Sequence, residues 1–151
     1  MTESLLNQQL DALLFEETNT ISNMSNASAL LFQTLADVNW AGFYLYDANN
    51  NELHLGPFQG KVACMHIKNG SGVCGTALAT QSIQRVANVH EFPGHIACDS
   101  DSNSEIVIPL FTQDGSPIGV LDIDSAKLDR FSAADEQELA NFGKVLLQHI
   151  D

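Results

Sequence analysis

The stretch Glu105-Ile-Val-Ile-Pro-Leu-Phe-Thr-Gln-Asp-Gly-Ser-Pro-Ile-Gly-Val-Leu-Asp-Ile-Asp124 decides the fold. Its arms, 105–111 and 118–124, carry the branched and aromatic side chains that suit a pleated surface. Gln113-Asp-Gly-Ser116 between them is turn chemistry, because Gly accepts positive φ and Asp bonds the turn backbone. Two strands joined so tightly run antiparallel. Upstream, Trp40-Ala-Gly-Phe-Tyr-Leu-Tyr46 predicts a further buried strand. The polar turn Asp47-Ala-Asn-Asn-Asn51 then leads into a partner over 52–55, which Gly56-Pro57 is expected to break. A third strand is expected over 62–67.

The flanks change period. Leu5, Leu6, Leu10, Leu13 and Leu14 recur at helical spacing and predict a helix over about residues 3–16. Ile21, Met24, Ala27, Leu30, Leu31 and Leu35 predict a second. The loop Asn69-Gly-Ser-Gly72 precedes a small-residue helix over 73–80. Ser132, with Asp135 three positions on, resembles a capping box opening a last helix that buries Leu139, Phe142, Val145 and Leu146. Helices bracketing hairpin-linked strands give an α+β fold, a central antiparallel sheet with helices packed on it. The length of 151 residues, without linker or repeat, fits one domain over 1–151.

Composition excludes several classes of function. Hydrophobic residues are 44% of the chain, enough for a core. Asp and Glu number 19 against 6 Lys and Arg, for a formal charge of −13. Such a surface repels nucleic-acid phosphates and anionic lipid, so neither partner is expected. No apolar run nears the roughly 20 residues that span a bilayer, and the first residues lack a secretory pattern. A soluble, cytoplasmic protein is expected. Three cysteines, Cys64, Cys74 and Cys98, make a poor disulfide framework and form no CxxC.

Three places could carry chemistry. The first is the aperiodic stretch 88–103, with its polar run Gly94-His-Ile-Ala-Cys98-Asp-Ser-Asp101. Two readings of Cys98 stand: an inert structural cysteine, since nearby acids raise a thiol pKa, or a reactive thiol on a polar loop. His90, His95 and Cys98 also invite a zinc reading, but their spacing matches no zinc module and ordinary loop side chains explain them. The second place is Leu121-Asp-Ile-Asp124. Alternation puts Asp122 and Asp124 on one strand face and Leu121 and Ile123 on the other. Glu105, opening the neighbouring strand, can join the two acids. They are either a solvated acidic face or a pocket for an ammonium group, with one carboxyl free to act as an acid. The third place is the Gly-rich run 69–75, which can clamp a carboxylate with backbone N–H groups or serve as a plain helix entry; it lacks the Walker lysine. Trp40 is either a core aromatic or the wall of a pocket.

Several runs together resemble one family. They are Leu55-Gly-Pro-Phe-Gln-Gly-Lys61 followed by Cys64, Gly72-Val-Cys74-Gly-Thr76, Phe92-Pro-Gly-His-Ile-Ala-Cys98-Asp99, Ser104-Glu105-Ile-Val-Ile-Pro109 and Leu121-Asp-Ile-Asp-Ser125. The chain resembles the free methionine-(R)-sulfoxide reductases, single GAF-domain enzymes, from Trp40 through the last helix. The resemblance implies a GAF-like fold and reduction of free L-methionine-(R)-sulfoxide to methionine through cysteine sulfenic acid and disulfide chemistry. It implies Cys98 as nucleophile, Cys64 as resolving cysteine and Cys74 as a third, exchanging cysteine. Glu105, Asp122 and Asp124 match the acidic substrate-binding residues and Trp40 a pocket aromatic. Asp124 is the expected proton donor, with Glu105 next. Thioredoxin is the implied reductant, a homodimer the implied assembly, and no metal or organic cofactor is called for. The rival readings are a GAF domain that senses a small molecule without catalysis, and a zinc hydrolase using His90, His95 and Cys98.

Overall fold

The hairpin at the centre of the sequence is also the centre of the molecule. In the computed structural model, which describes residues 3–95 and 101–150, β5 (Ser104–Phe111) and β6 (Pro117–Ser125) pair antiparallel. Their turn is closed by Thr112 N–H donating to the Ser116 carbonyl at 2.9 Å. β1 (Trp40–Asp47) pairs with the other side of β6, and β2 (Glu52–Gly60) with β1. The short strands β3 (His66–Lys68) and β4 (Gln84–Val86) close the edges. All neighbours are antiparallel, in the order β3-β2-β1-β6-β5-β4.

Strand alternation divides the molecule into two unequal cores. Ala41, Phe43, Ile106, Ile108, Leu110, Leu121 and Ile123 point to one face. There they meet α1 (Leu5–Leu13), α2 (Thr20–Thr34) and α4 (Ala133–Leu147). Leu10, Met24, Leu31, Leu139 and Phe142 fill the gap between helices and sheet and are fully or almost fully buried. At roughly 25 cal/mol per Å² of apolar surface removed from water, this side dominates the stability. The opposite face carries Trp40, Tyr44, Val107 and Val120 and is covered by α3 (Gly72–Thr80) through Val73, Cys74, Ala77 and Leu78.

Three helix starts are capped by side chains. Ser4 and Asn19 cap α1 and α2 through their side-chain oxygens. The capping box opening α4 is reciprocal: Ser132 Oγ accepts from Asp135 N–H at 3.1 Å, and Asp135 Oδ2 accepts from Ser132 N–H at 2.9 Å.

Two expectations are corrected. Gly56-Pro57 does not end the second strand, because the ladder absorbs it as a bulge. Tyr44 faces Leu55 while Gly42 faces Phe58, so β2 inserts one extra residue there and proline costs no ladder bond. The third strand is shorter than 62–67: only His66–Lys68 pairs. Val62 and Met65 are 88% and 70% exposed, so the segment before His66 lacks the alternating buried face that would hold it in a sheet. Within 88–103 the described residues include one 3₁₀ turn, Val89–Glu91, capped by Asn88 and tied to the sheet by Val89 N–H donating to the Asn103 carbonyl at 2.9 Å. Strand β4 carried no signal, being three residues long, two of them polar, at an edge.

Candidate functional site

Three neighbouring strands place the acidic residues in one row. Glu105 on β5 lies directly opposite Asp124 on β6, and Asp124 lies opposite Trp40 on β1. One step along, Asp122 sits between Val107 and Gly42. All of these face α3, so the pair of acids separated by Ile123 shares the pocket side and the apolar pair shares the core side.

Around this row a cleft forms, lined by Trp40, Tyr44, Cys74, Glu105, Asp122 and Asp124, with His95, Ser102 and the start of α3 at its margin. Its space for the centres of water-sized molecules is about 50 Å³. One water needs roughly 10–15 Å³ on that measure, so the cleft holds a few waters or one slender small molecule. Trp40 is fixed by stacking on Phe58 at 5.2 Å and Tyr44 at 5.8 Å, and by donating its indole N–H to the Lys61 carbonyl at 3.1 Å. Tyr44, on the same strand face as Trp40, donates its hydroxyl to the Cys64 carbonyl at 3.1 Å. The loop carrying Cys64 is thereby tied to the wall of the cleft. Tyr44 and His95 were not among the expected substrate residues; the even, four-residue spacing of Trp40 and Tyr44 along one strand was the available signal for the tyrosine.

Close backbone approaches allow this arrangement. A Cβ on Gly42 would lie 2.3 Å from the Phe58 Cβ, so glycine is what lets Phe58 reach Trp40 across the bulge. A Cβ on Gly75 would lie 2.5 Å from the Lys68 carbonyl oxygen, so glycine lets α3 settle against the end of β3 and bring Cys74 over the acids.

The electrostatics are those of a buried acidic cluster. Glu105 and Asp122 are 8% and 5% exposed. Burial, and then the charge of Asp122, raise the Glu105 pKa well above the usual carboxyl range. Burial, and then Asp124, do the same for Asp122. Burial and the three acids push the Cys74 thiol up, and it points its S–H at Glu105 Oε2 at 3.8 Å. Tyr44 is raised as well, by burial first and Asp122 second. Asp122 Oδ1 is buried without a hydrogen-bond partner among the described residues. An orphan carboxylate oxygen in an acidic cleft is an acceptor waiting for a donor. Cys74 Sγ and oxygens of Glu105 and Asp122 lie within 4.8 Å of one another, a set that a cation, a shared proton or an ammonium group can satisfy.

The structure thus brings together Trp40, Cys74, Glu105, Asp122 and Asp124. Cys64 is disulfide-bonded and Cys74 is a free thiol. Cys98, the expected nucleophile, lies outside the described residues. Of the histidines in the zinc reading, His90 is engaged with Asn103 Oδ1 at 2.9 Å, and His95 is held below its usual pKa by burial and by His90. Among the described residues no helix is long and apolar enough to cross a membrane.

The GAF domain pattern matches residues 22–151. The chain is 54% identical over 134 residues to the free methionine-R-sulfoxide reductase of Escherichia coli (strain K12), covering 89% of this chain and 79% of that one. It superimposes on fRMsr of Staphylococcus aureus in its reduced form with a TM-score of 0.92 and 50% identity, covering 96% of this chain and 92% of that one. It superimposes equally, at 0.92 and 42% identity, on free methionine-R-sulfoxide reductase from Neisseria meningitidis in complex with its substrate, covering 95% and 85%.

Proposed function

The chain belongs to the GAF domain family, and within it to the free methionine-R-sulfoxide reductases, and from that premise we propose that it reduces free L-methionine-(R)-sulfoxide to methionine. The observation that carries this reading is the convergence of three carboxylates, with an orphan oxygen on Asp122, beneath an aromatic wall. A free amino acid brings an ammonium group to that cluster. The cluster then holds its acids without net repulsion, and Asp122 Oδ1 gains a donor. The substrate carboxylate takes the opposite end, where α3 begins at Ser71–Val73 beside the cleft and its first N–H groups are not all used inside the helix. Trp40 stacks against the methylene and methyl groups. A peptide-bound methionine sulfoxide lacks the free ammonium and would leave the buried acids unpaired, so it is refused.

In the proposed reaction Cys98 thiolate attacks the sulfoxide sulfur. The S–O bond order falls and the oxygen takes a proton. The hydroxyl passes from the substrate sulfur to Cys98 Sγ as the substrate S–O bond and the sulfur–sulfur bond break; methionine leaves with the electron pair, and Cys98 is left as a sulfenic acid. Asp124 delivers the proton, with Glu105 directly beside it as the next donor in line. Support comes from burial, which keeps Glu105 in its acid form well above the usual carboxyl range. Cys64 then attacks the sulfenic sulfur, water leaves, and a disulfide remains. In its favour, Cys64 is disulfide-bonded while Cys74 keeps its thiol. Burial holds Cys74 protonated, which suits a thiol that exchanges later and does not initiate. Thioredoxin dithiol restores the enzyme by exchange. In this reading residues 1–151 act as one GAF-like unit, assembled as a homodimer in the cytoplasm.

The test is NADPH oxidation coupled through thioredoxin and its reductase, with the free R sulfoxide, the free S sulfoxide and a peptide-blocked R sulfoxide. Turnover confined to the free R form is expected. Cys98→Ser is expected to abolish it. Cys74→Ser is expected to keep a single turnover, read as one methionine released per enzyme. No turnover of any substrate by fully reduced protein overturns the reading in favour of a ligand-sensing GAF domain.

A further inference from the structure

On the far side of β2, away from the acidic cleft, a second group of ligating side chains converges. β2 pairs with β3 so that His54 lies directly opposite His66. Glu52, two residues before His54, shares its strand face. Glu52 Oε1 lies 2.8 Å from His54 Nε2 and 3.1 Å from His66 Nδ1. Asp47 Oδ2, at the head of the hairpin, lies 3.5 Å from His54 Nε2. The two ring nitrogens and the Glu52 oxygen all fall within 4.8 Å of one another.

We propose that Glu52, His54 and His66 form a binding site for a divalent transition-metal cation of the zinc class, with the Asp47 carboxylate beside His54. Two imidazole nitrogens and a carboxylate oxygen are a donor set that zinc, copper and nickel take, while magnesium and calcium want oxygens alone. Around a tetrahedral ion with bonds near 2.05 Å, donor atoms stand about 3.3 Å apart. The measured Glu52–His54 and Glu52–His66 separations of 2.8 and 3.1 Å lie just below that value, and all three donor atoms are within 4.8 Å of one another. The donors come from paired strands, not loops, so register holds them together before any ion arrives. Glu52 and Asp47 are 19% and 21% exposed, so their carboxylates are partly withdrawn from water. The exposed edge of His66 gives the ion a path in.

The site is independent of the cysteine chemistry, and its test keeps the two apart. Tag-free protein, in the form with Cys64 in its disulfide, is titrated calorimetrically with zinc chloride and magnesium chloride, and optically with cobalt chloride. One equivalent of zinc is expected, with no magnesium uptake, and cobalt is expected to show visible bands without a thiolate charge-transfer band. H54A and H66A are each expected to weaken zinc by about 10-fold or more. E52Q, which keeps the shape and loses the charge, is expected to weaken it too. Each variant is checked for an unchanged metal-free Tm and unchanged turnover. No saturable zinc uptake, uptake of equal strength in the H54A/H66A double variant, equal uptake of magnesium, or a cobalt–thiolate band each overturns the proposal.

Discussion

Asp122 shows how much one residue can hold. Its carboxyl is buried between Val107 and Gly42, one oxygen has no hydrogen bond to the described residues, and Asp124 follows two positions on. Its pKa and that of Glu105 are raised in the folded protein, so between the ordinary carboxyl value near 4 and the raised value the native state binds more protons than the unfolded chain. Stability therefore falls as pH rises through that window. Asp122→Asn removes one of the buried acids. Its Tm is expected to exceed that of the parent at pH 8 and to match it near pH 4, as read by thermal unfolding at both values. A gain of about 1 kcal/mol shifts Tm by roughly 2–4 °C at this size. The same variant is expected to lose about 10- to 100-fold in kcat/KM on the free sulfoxide, since the amide oxygen still accepts from the ammonium but without the carboxylate's charge. An equal Tm difference at both pH values would contradict the assignment of burial as the cause.

At the scale of elements, the site depends on how closely α3 approaches β3. Gly75→Ala places a methyl 2.5 Å from the Lys68 carbonyl oxygen, which cannot rotate away as a side chain can. The helix must retreat, and Cys74 with it. A loss of about 1–3 kcal/mol, seen as a lower urea midpoint, is expected. A larger fractional loss of sulfoxide turnover should accompany it. These elements also show what a sequence can reveal. The spacing of Asp122 and Asp124 about Ile123 already put both acids on one face, because a strand has a fixed period of two. Which way that face pointed, to solvent or to a cleft, depended on α3, whose small residues carry almost no directional pattern. Gly56-Pro57 misled because proline stops a ladder only when no bulge can take it in, and the partner that makes the bulge, Gly42, lies in another strand. The short strand β4 was illegible because three residues at an edge, two of them polar, are held by their partner and not by their own propensity. Tyr44 was missed as a pocket residue although its spacing from Trp40 was in plain view.

At the scale of the whole molecule, the charge of −13 is distributed over a small surface. Self-repulsion destabilises a compact state, and salt screens it. The Debye length shrinks from about 30 Å at 0.01 M salt to about 8 Å at 0.15 M. Tm is expected to rise across that range with sodium or potassium chloride alike, measured by differential scanning calorimetry. A fall would mean that the surface ion pairs, Lys61–Asp101 and Arg85–Glu136 among them, outweigh the repulsion. The strict alternation of β6 has a consequence during folding as well. A slip of one residue against either neighbour would turn Leu121 and Ile123 toward the acids and drive Asp122 and Asp124 into the oil of the larger core. No mispaired chain could then be compact and half active: the same error that ruins the chemistry leaves a protein that cannot collapse. The strand acts as its own proofreader, and a cell's quality control would meet only correctly threaded molecules or openly unfolded ones.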